Sequence, residues 1–153
     1  TGREEVDQNN RRYLREVIKN HVSGRLKVAP EHSSDEVLKF MRKPPFALFE
    51  ELNREFQRIN REENLDQQLI PYFISSHPGS KPEDMADLAI QTKKMNFRLE
   101  QVQDFTPTPM TLSTVIYYTG YDPYTGKKVF VERTIDGKRR QKGYFFMKRV
   151  GRK

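Results

Sequence analysis

The 153-residue sequence contains no cysteine and no tryptophan, and only three histidines. Without cysteine the chain carries no disulfide framework, no thiolate metal site and no cysteine nucleophile. No apolar run reaches the roughly 18 residues that suggest a membrane-spanning helix. The opening TGREEVDQNN is polar and charged, unlike a secretory signal. The expectation is a cytoplasmic protein with no membrane partner. Neither a Walker loop nor a GxGxxG fingerprint occurs, so no glycine-rich loop cradles phosphates. There is no GxSxG elbow either, and Ser76 and His77 are adjacent, so their side chains point apart instead of forming a nucleophile–base pair. The first residue is not Met, and the expectation is a piece of a longer protein. What remains is one modest domain, or a domain with a tail, with 35% hydrophobic residues for its core.

The net charge of +7 is unevenly placed. Residues 121–153 hold 11 Lys and Arg against 3 Asp and Glu, a net +8, whereas residues 1–120 hold 17 against 18, a net −1. Lys127, Lys128, Lys138, Arg139, Arg140, Lys142, Lys148, Arg149, Arg152 and Lys153 interleave with Tyr121, Tyr124, Tyr144, Phe145 and Phe146. Such a mixture can follow phosphates and stack on bases, and it can equally be a solvated tail or a dock for an acidic partner.

Hydrophobic spacing orders the elements. Tyr13, Leu14, Val17, Ile18 and His21 or Val22 form one helical stripe over residues 4–22, stopped at Ser23-Gly24. Residues 25–29 alternate as a strand. Ser33 and Glu36 form a capping-box pattern for a helix through Met41, which Pro44-Pro45 breaks. A second helix spans about 46–63, with Phe49, Leu52, Phe56 and Ile59 inward. The run LIPYFIS (69–75) reads as a strand buried on both faces. Ser80 and Glu83 suggest another capping box, and residues 99–105 a third strand. Residues 112–118 fit a strand or a helix equally. Asp136-Gly137 signals a β-hairpin, with a helix over 138–147 as the competing reading. Strand–helix alternation predicts an α/β fold: three βα-type units with a mostly parallel sheet, followed by a basic tail.

In such folds ligands bind at the carboxyl ends of the strands. Those ends carry Glu31 and His32, then Ser75, Ser76 and His77, then Gln103, Asp104 and Phe105. His32, His77 and Asp104 are candidate polar site residues. A metal site is not expected, because two dispersed histidines lack a close-spaced ligand motif such as HExxH. His21 reads as structural. No catalytic residue is assigned.

Three stretches, residues 23–44, 69–89 and 97–123, go further together. Their phrases VAPEH, PYFISSHPG and QVQDFTPTPMT resemble the C-terminal half of radical S-adenosylmethionine (SAM) proteins of the YgiQ-like branch, over residues 10–147. The resemblance implies a partial barrel comprising residues 1–120, with residues 121–153 as the family's extension. It also implies an N-terminal half, absent here, whose CxxxCxxC loop binds a [4Fe–4S] cluster that reductively cleaves SAM. The resulting 5′-deoxyadenosyl radical would abstract hydrogen from an unknown substrate. This chain alone, having no thiolate, should hold no cluster. Carried over by resemblance, Lys27 and Glu31 face the ribose and methionine parts of SAM, and Arg42 or Lys43 its carboxylate. Ile74, Ser75, Ser76, Gln103 and Phe105 lie toward adenine. The partner is the missing half of the same protein. The alternative function is a non-catalytic module whose residues 121–153 grip RNA or an acidic protein.

Overall fold

The computed structural model describes residues 2–97 and 102–146, with side chains from residue 8 onward. It is an α/β structure. Three parallel strands form one open sheet in the order β1-β2-β3. They are β1 (Arg25–Glu31), β2 (Gln68–Ser75) and β3 (Val102–Asp104), and six helices accompany them among the described residues. The chain packs as two compact units, residues 1–28 with 47–70 and residues 29–46 with 71–153.

The first unit contains α1 (Gly2–His21) and most of α3 (Phe46–Glu62). Only part of the expected α1 stripe is inside: Ile18 is fully buried, whereas Tyr13 is 72% exposed and His21 lies at the surface. Phe49, Phe56 and Ile59 of α3 are buried as their spacing predicts, each worth about 1.5–3 kcal/mol of apolar burial. The end of α1 is satisfied from a distance. The Gln67 amide donates to the carbonyls of Ile18 and Val22 at 2.9 and 3.0 Å. Gly24 then turns the chain at φ 99°, where a side chain would be strained, and its carbonyl accepts from Gln68 N–H at 2.8 Å.

The second unit contains α2 (Asp35–Met41), α4 (Pro82–Lys94), α5 (Leu112–Thr119) and α6 (Ile135–Phe146), with the carboxyl ends of the strands. Val37, Leu38, Phe73, Met85, Leu88, Val102 and Ile116 make its core. In the parallel β2–β3 ladder Phe73 pairs with Val102, Ile74 with Gln103 and Ser75 with Asp104. α6 packs on α4 and touches β3, while α2 packs on α5.

Three local readings are settled, one of them left open by the sequence and one in favour of its competing helix. Neither expected capping box forms: the N-caps are Ser34 and Lys81, not Ser33 and Ser80, Ser34 makes no side-chain cap bond, and at α4 it is Asp84 that accepts the N-cap N–H at 2.8 Å. Residues 112–118 resolve as helix, with the Thr111 hydroxyl accepting from Thr114 N–H. The Asp136-Gly137 hairpin does not form, because both residues sit in the first turn of α6. Glu132 supplies the reason: its carboxylate binds the N–H and hydroxyl of Thr134, and the Thr134 hydroxyl in turn accepts from Gly137 N–H at 3.0 Å. A capped helix start thereby replaces the turn. A Cβ on Gly137 would collide with the Glu132 carboxylate. Residues 99–101 of the expected third strand lie outside the described residues, as do Lys148, Arg149, Arg152 and Lys153.

Candidate functional site

The site lies in the second unit, where the strands end. Two of those ends turn through left-handed, non-glycine backbone: Glu31 at φ 68° and Ser76 at φ 58°. Such conformations persist only where surrounding bonds hold them. Two buried histidines and one buried glutamine provide those bonds.

His32 is fully buried. Its Nδ1 accepts from the N–H groups of Ser33 and Ser34, each at 3.0 Å, which leaves the proton on Nε2 to donate to Ser80 Oγ at 3.0 Å. One ring thus occupies the groups that both capping boxes would have used. Burial, and then the neighbouring His77, push its pKa down to about 4. His77 is also buried. Its Nδ1–H donates to the Pro78 carbonyl at 2.8 Å, and Nε2 accepts from the Ser113 hydroxyl at 2.8 Å. Burial lowers its pKa to about 4 as well, with the Pro78 bond opposing. Both rings are neutral at pH 7, and every ring nitrogen has a partner. They do not form a metal pair. Among the described residues no group of three or more His, Cys, Asp and Glu could hold a metal ion.

Gln141 of α6 is fully buried. Its Oε1 accepts from Ser76 N–H at 3.0 Å and the Ser76 hydroxyl at 3.3 Å, and its amide donates to the Ser80 carbonyl at 3.2 Å. The next residue, Lys142, pairs with Asp104 at 2.7 Å, and Ser75 Oγ donates to the other oxygen of that carboxylate at 2.6 Å. Burial raises the Asp104 pKa, but the bonds from Lys142 and Ser75 outweigh it and the net shift is downward.

These contacts frame a cavity of about 410 Å³, within the usual size range of small-molecule sites. Glu31, Lys43, Ile74, His77, Gln103, Asp104 and Phe105 line it, joined by Met41, Ser113 and the threonines of the 106–111 loop. One wall carries the Lys43–Glu31 pair at 3.5 Å and another the Asp104–Lys142 pair. His77 stands edge-on to Phe105, with ring centroids 4.8 Å apart.

The expected site residues therefore divide. Glu31, Lys43, Gln103, Asp104, Phe105 and His77 converge on one cavity. Ser75, Ser76 and His32 are buried and do not line it. Arg42 caps α2 in a left-handed conformation and donates to the Tyr124 hydroxyl at 2.9 Å. Lys27 is exposed on β1 and lines no part of the cavity. Ser113, Ser80 and Gln141 were not legible as site residues, since each acts on a segment at least 36 positions away. The polar 106–111 loop after β3 was the one local sign of a further wall.

A match to the wider protein record extends over nearly the whole chain. The chain resembles UPF0313 proteins. It is 64% identical over 134 residues to a UPF0313 protein of Bacteroides thetaiotaomicron and 63% identical over 134 residues to one of Porphyromonas gingivalis. Against a UPF0313 protein of Methanocella arvoryzae it is 47% identical over 127 residues. These matches cover 88%, 88% and 83% of this chain but 22%, 21% and 21% of the relatives. The chain thus spans about a fifth of the length of the curated relatives it matches. Residues 100–148 also match a domain of unknown function, DUF3362. That segment carries Asp104, Phe105 and Ser113 into the cavity and Gln141 and Lys142 onto the strand ends.

Proposed function

We propose that this chain is a part of a UPF0313-type radical SAM protein and forms one wall of its SAM site. The observation that carries the reading is convergence. Residues from three separate strand ends, chosen by resemblance to the SAM-facing positions of that superfamily, line one cavity. The similarity to UPF0313 proteins and the small share of their length that the chain spans support a piece of a larger enzyme.

The cavity chemistry suits SAM. Lys43 would meet its carboxylate and Glu31 or Asp104 its ammonium and ribose hydroxyls, while Ile74 and Phe105 offer apolar faces to the purine. The cluster has no fit among these residues, since the chain has no cysteine. Its ligands would come from the remainder of the longer protein. When bound there, cluster and SAM together supply a carbon radical for hydrogen abstraction.

The residues present have positioning roles. Although Ser113 and His77 meet at hydrogen-bond distance, an imidazole held near 4 is a weak base at pH 7, so acyl transfer by this pair is disfavoured. Instead the neutral ring and its bonded hydroxyl form a fixed wall beside Phe105. Gln141 and Lys142 hold the ends of β2 and β3 in register beneath it. The reading is tested on the full-length protein that carries this chain. SAM added with iron, sulfide and a strong reductant should yield 5′-deoxyadenosine, and Lys43→Met should raise the KM for SAM. An enzyme with an intact cluster and no SAM cleavage would overturn it.

A further inference from the structure

Apart from the cavity, the second unit exposes an unusual number of aromatic rings. Tyr118 is 70% exposed, Tyr121 51% and Tyr124 73%, all within seven residues. Cations lie close to this segment. The Arg133 guanidinium donates to the carbonyls of Tyr117 and Tyr118 at 2.7 and 3.0 Å and lies 6.0 Å from the Tyr117 ring centre. Lys138 Nζ lies 5.4 Å from the same ring. Arg42 reaches the Tyr124 hydroxyl, and Lys127 and Lys128 are exposed in the same turn region, where Lys128 bridges Tyr121. Residues 121–146 carry seven Lys and Arg against three carboxylates. Each carboxylate is already engaged: Asp122 by Thr125 and Tyr124, Glu132 by Thr134, and Asp136 by Arg139.

We propose that this face, α5 with the turn at 120–128, binds single-stranded RNA. The combination decides the class of partner. An acidic peptide would use the cations and leave the exposed rings in water. A duplex would present phosphates but no open base faces. A single strand presents both, with bases stacking on Tyr118 and its neighbours and phosphates meeting Arg42, Lys127, Lys128 and Arg133. The rings also lead somewhere. Tyr118 stacks edge-on to Tyr117 at 5.4 Å, and Tyr117 meets Phe105 at 5.6 Å, and Phe105 is a wall of the cavity. A bound strand therefore runs beside the cavity mouth. Binding itself does not depend on the radical reading.

The test is fluorescence anisotropy of a labelled oligouridine titrated with the 153-residue chain. Four phosphate contacts to a single strand give a slope of about −3 in log affinity against log salt, or about 50-fold weaker binding at 200 than at 50 mM. Tyr118→Ala should weaken binding about 5-fold or more, because one stacked base is lost, while Tyr118→Phe should bind as the parent does. Lys127→Glu with Lys128→Glu should weaken it and flatten the slope. Tyr118 and both lysines are exposed, so circular dichroism should report an unchanged fold. The proposal is overturned by absence of binding at low salt, by a Tyr118→Ala protein that binds like the parent, or by an oligoglutamate or an RNA duplex that competes as well as the single strand.

Discussion

The buried histidines make folding stability fall with mild acid, and the magnitude follows from the structure. An unfolded imidazole titrates near 6.5, whereas His32 and His77 in the fold titrate near 4. Above pH 6.5 each is neutral in both states and costs nothing. As pH falls below 6.5 the unfolded chain takes up protons that the folded chain refuses, so stability is lost progressively until about pH 4. The full loss is about 3 kcal/mol per ring, and at pH 5 it is about 2 kcal/mol each, or about 4 kcal/mol together. That is a large part of the roughly 5–15 kcal/mol by which most domains are stable. Urea unfolding followed by circular dichroism at several values between pH 8 and pH 5 measures it. The double variant His32→Gln, His77→Gln should be less stable at pH 8 but nearly insensitive over this interval. In the parent, NMR ring resonances of the two histidines should hold their neutral positions down to pH 5. Equal stability at pH 7.5 and pH 5, or ring titration with midpoints between pH 6 and 7, would refute the hydrogen-bond arrangement assigned to these rings.

Two glycines give opposite expectations. A Cβ at Gly79 would lie 2.9 Å from the Phe40 ring, at φ +89°, so Gly79→Ala should cost about 1–3 kcal/mol in thermal unfolding. Gly143, inside α6 with open space around it, should gain about 0.5–1 kcal/mol as Ala. Gln141→Leu strands the buried Ser76 N–H and Ser80 carbonyl and should cost about 2–4 kcal/mol, with faster amide exchange at Ser76. Lys142→Met should raise the Asp104 pKa, readable by carboxyl NMR, with a stability loss below about 1 kcal/mol because both groups are partly solvated.

Periodicity was enough to order the helices and strands, because the stripe of α3 and the apolar run of β2 are signals within one element. The strand ends were legible as a site for the same reason: polar residues follow apolar strands directly. What escaped was everything settled by distant partners. Neither expected capping box formed, because His32 engages the groups at their starts. The Asp136-Gly137 turn signal lost to Glu132 and Thr134, which begin α6. Tyr13 and His21 matched the stripe of α1 by spacing, yet they lie at the surface, since spacing marks a direction and not how far a neighbouring element covers it. Ser113 and Gln141 carry no local mark of their roles, which arise from contacts with His77 and Ser76 across 36 and 65 positions. The excess charge of residues 121–153 left its role open in the sequence, and its described part includes a helix anchored by a buried glutamine.

On the function proposed above, the cavity at the strand ends is one wall of a SAM site in a larger UPF0313-type enzyme. The most direct measurement is 5′-deoxyadenosine formation by the full-length protein, anaerobically reconstituted with iron and sulfide and supplied with SAM and a strong reductant. Reductant-dependent 5′-deoxyadenosine is expected, with Lys43→Met requiring more SAM for the same rate. A reconstituted protein with a full cluster complement that leaves SAM intact would contradict it.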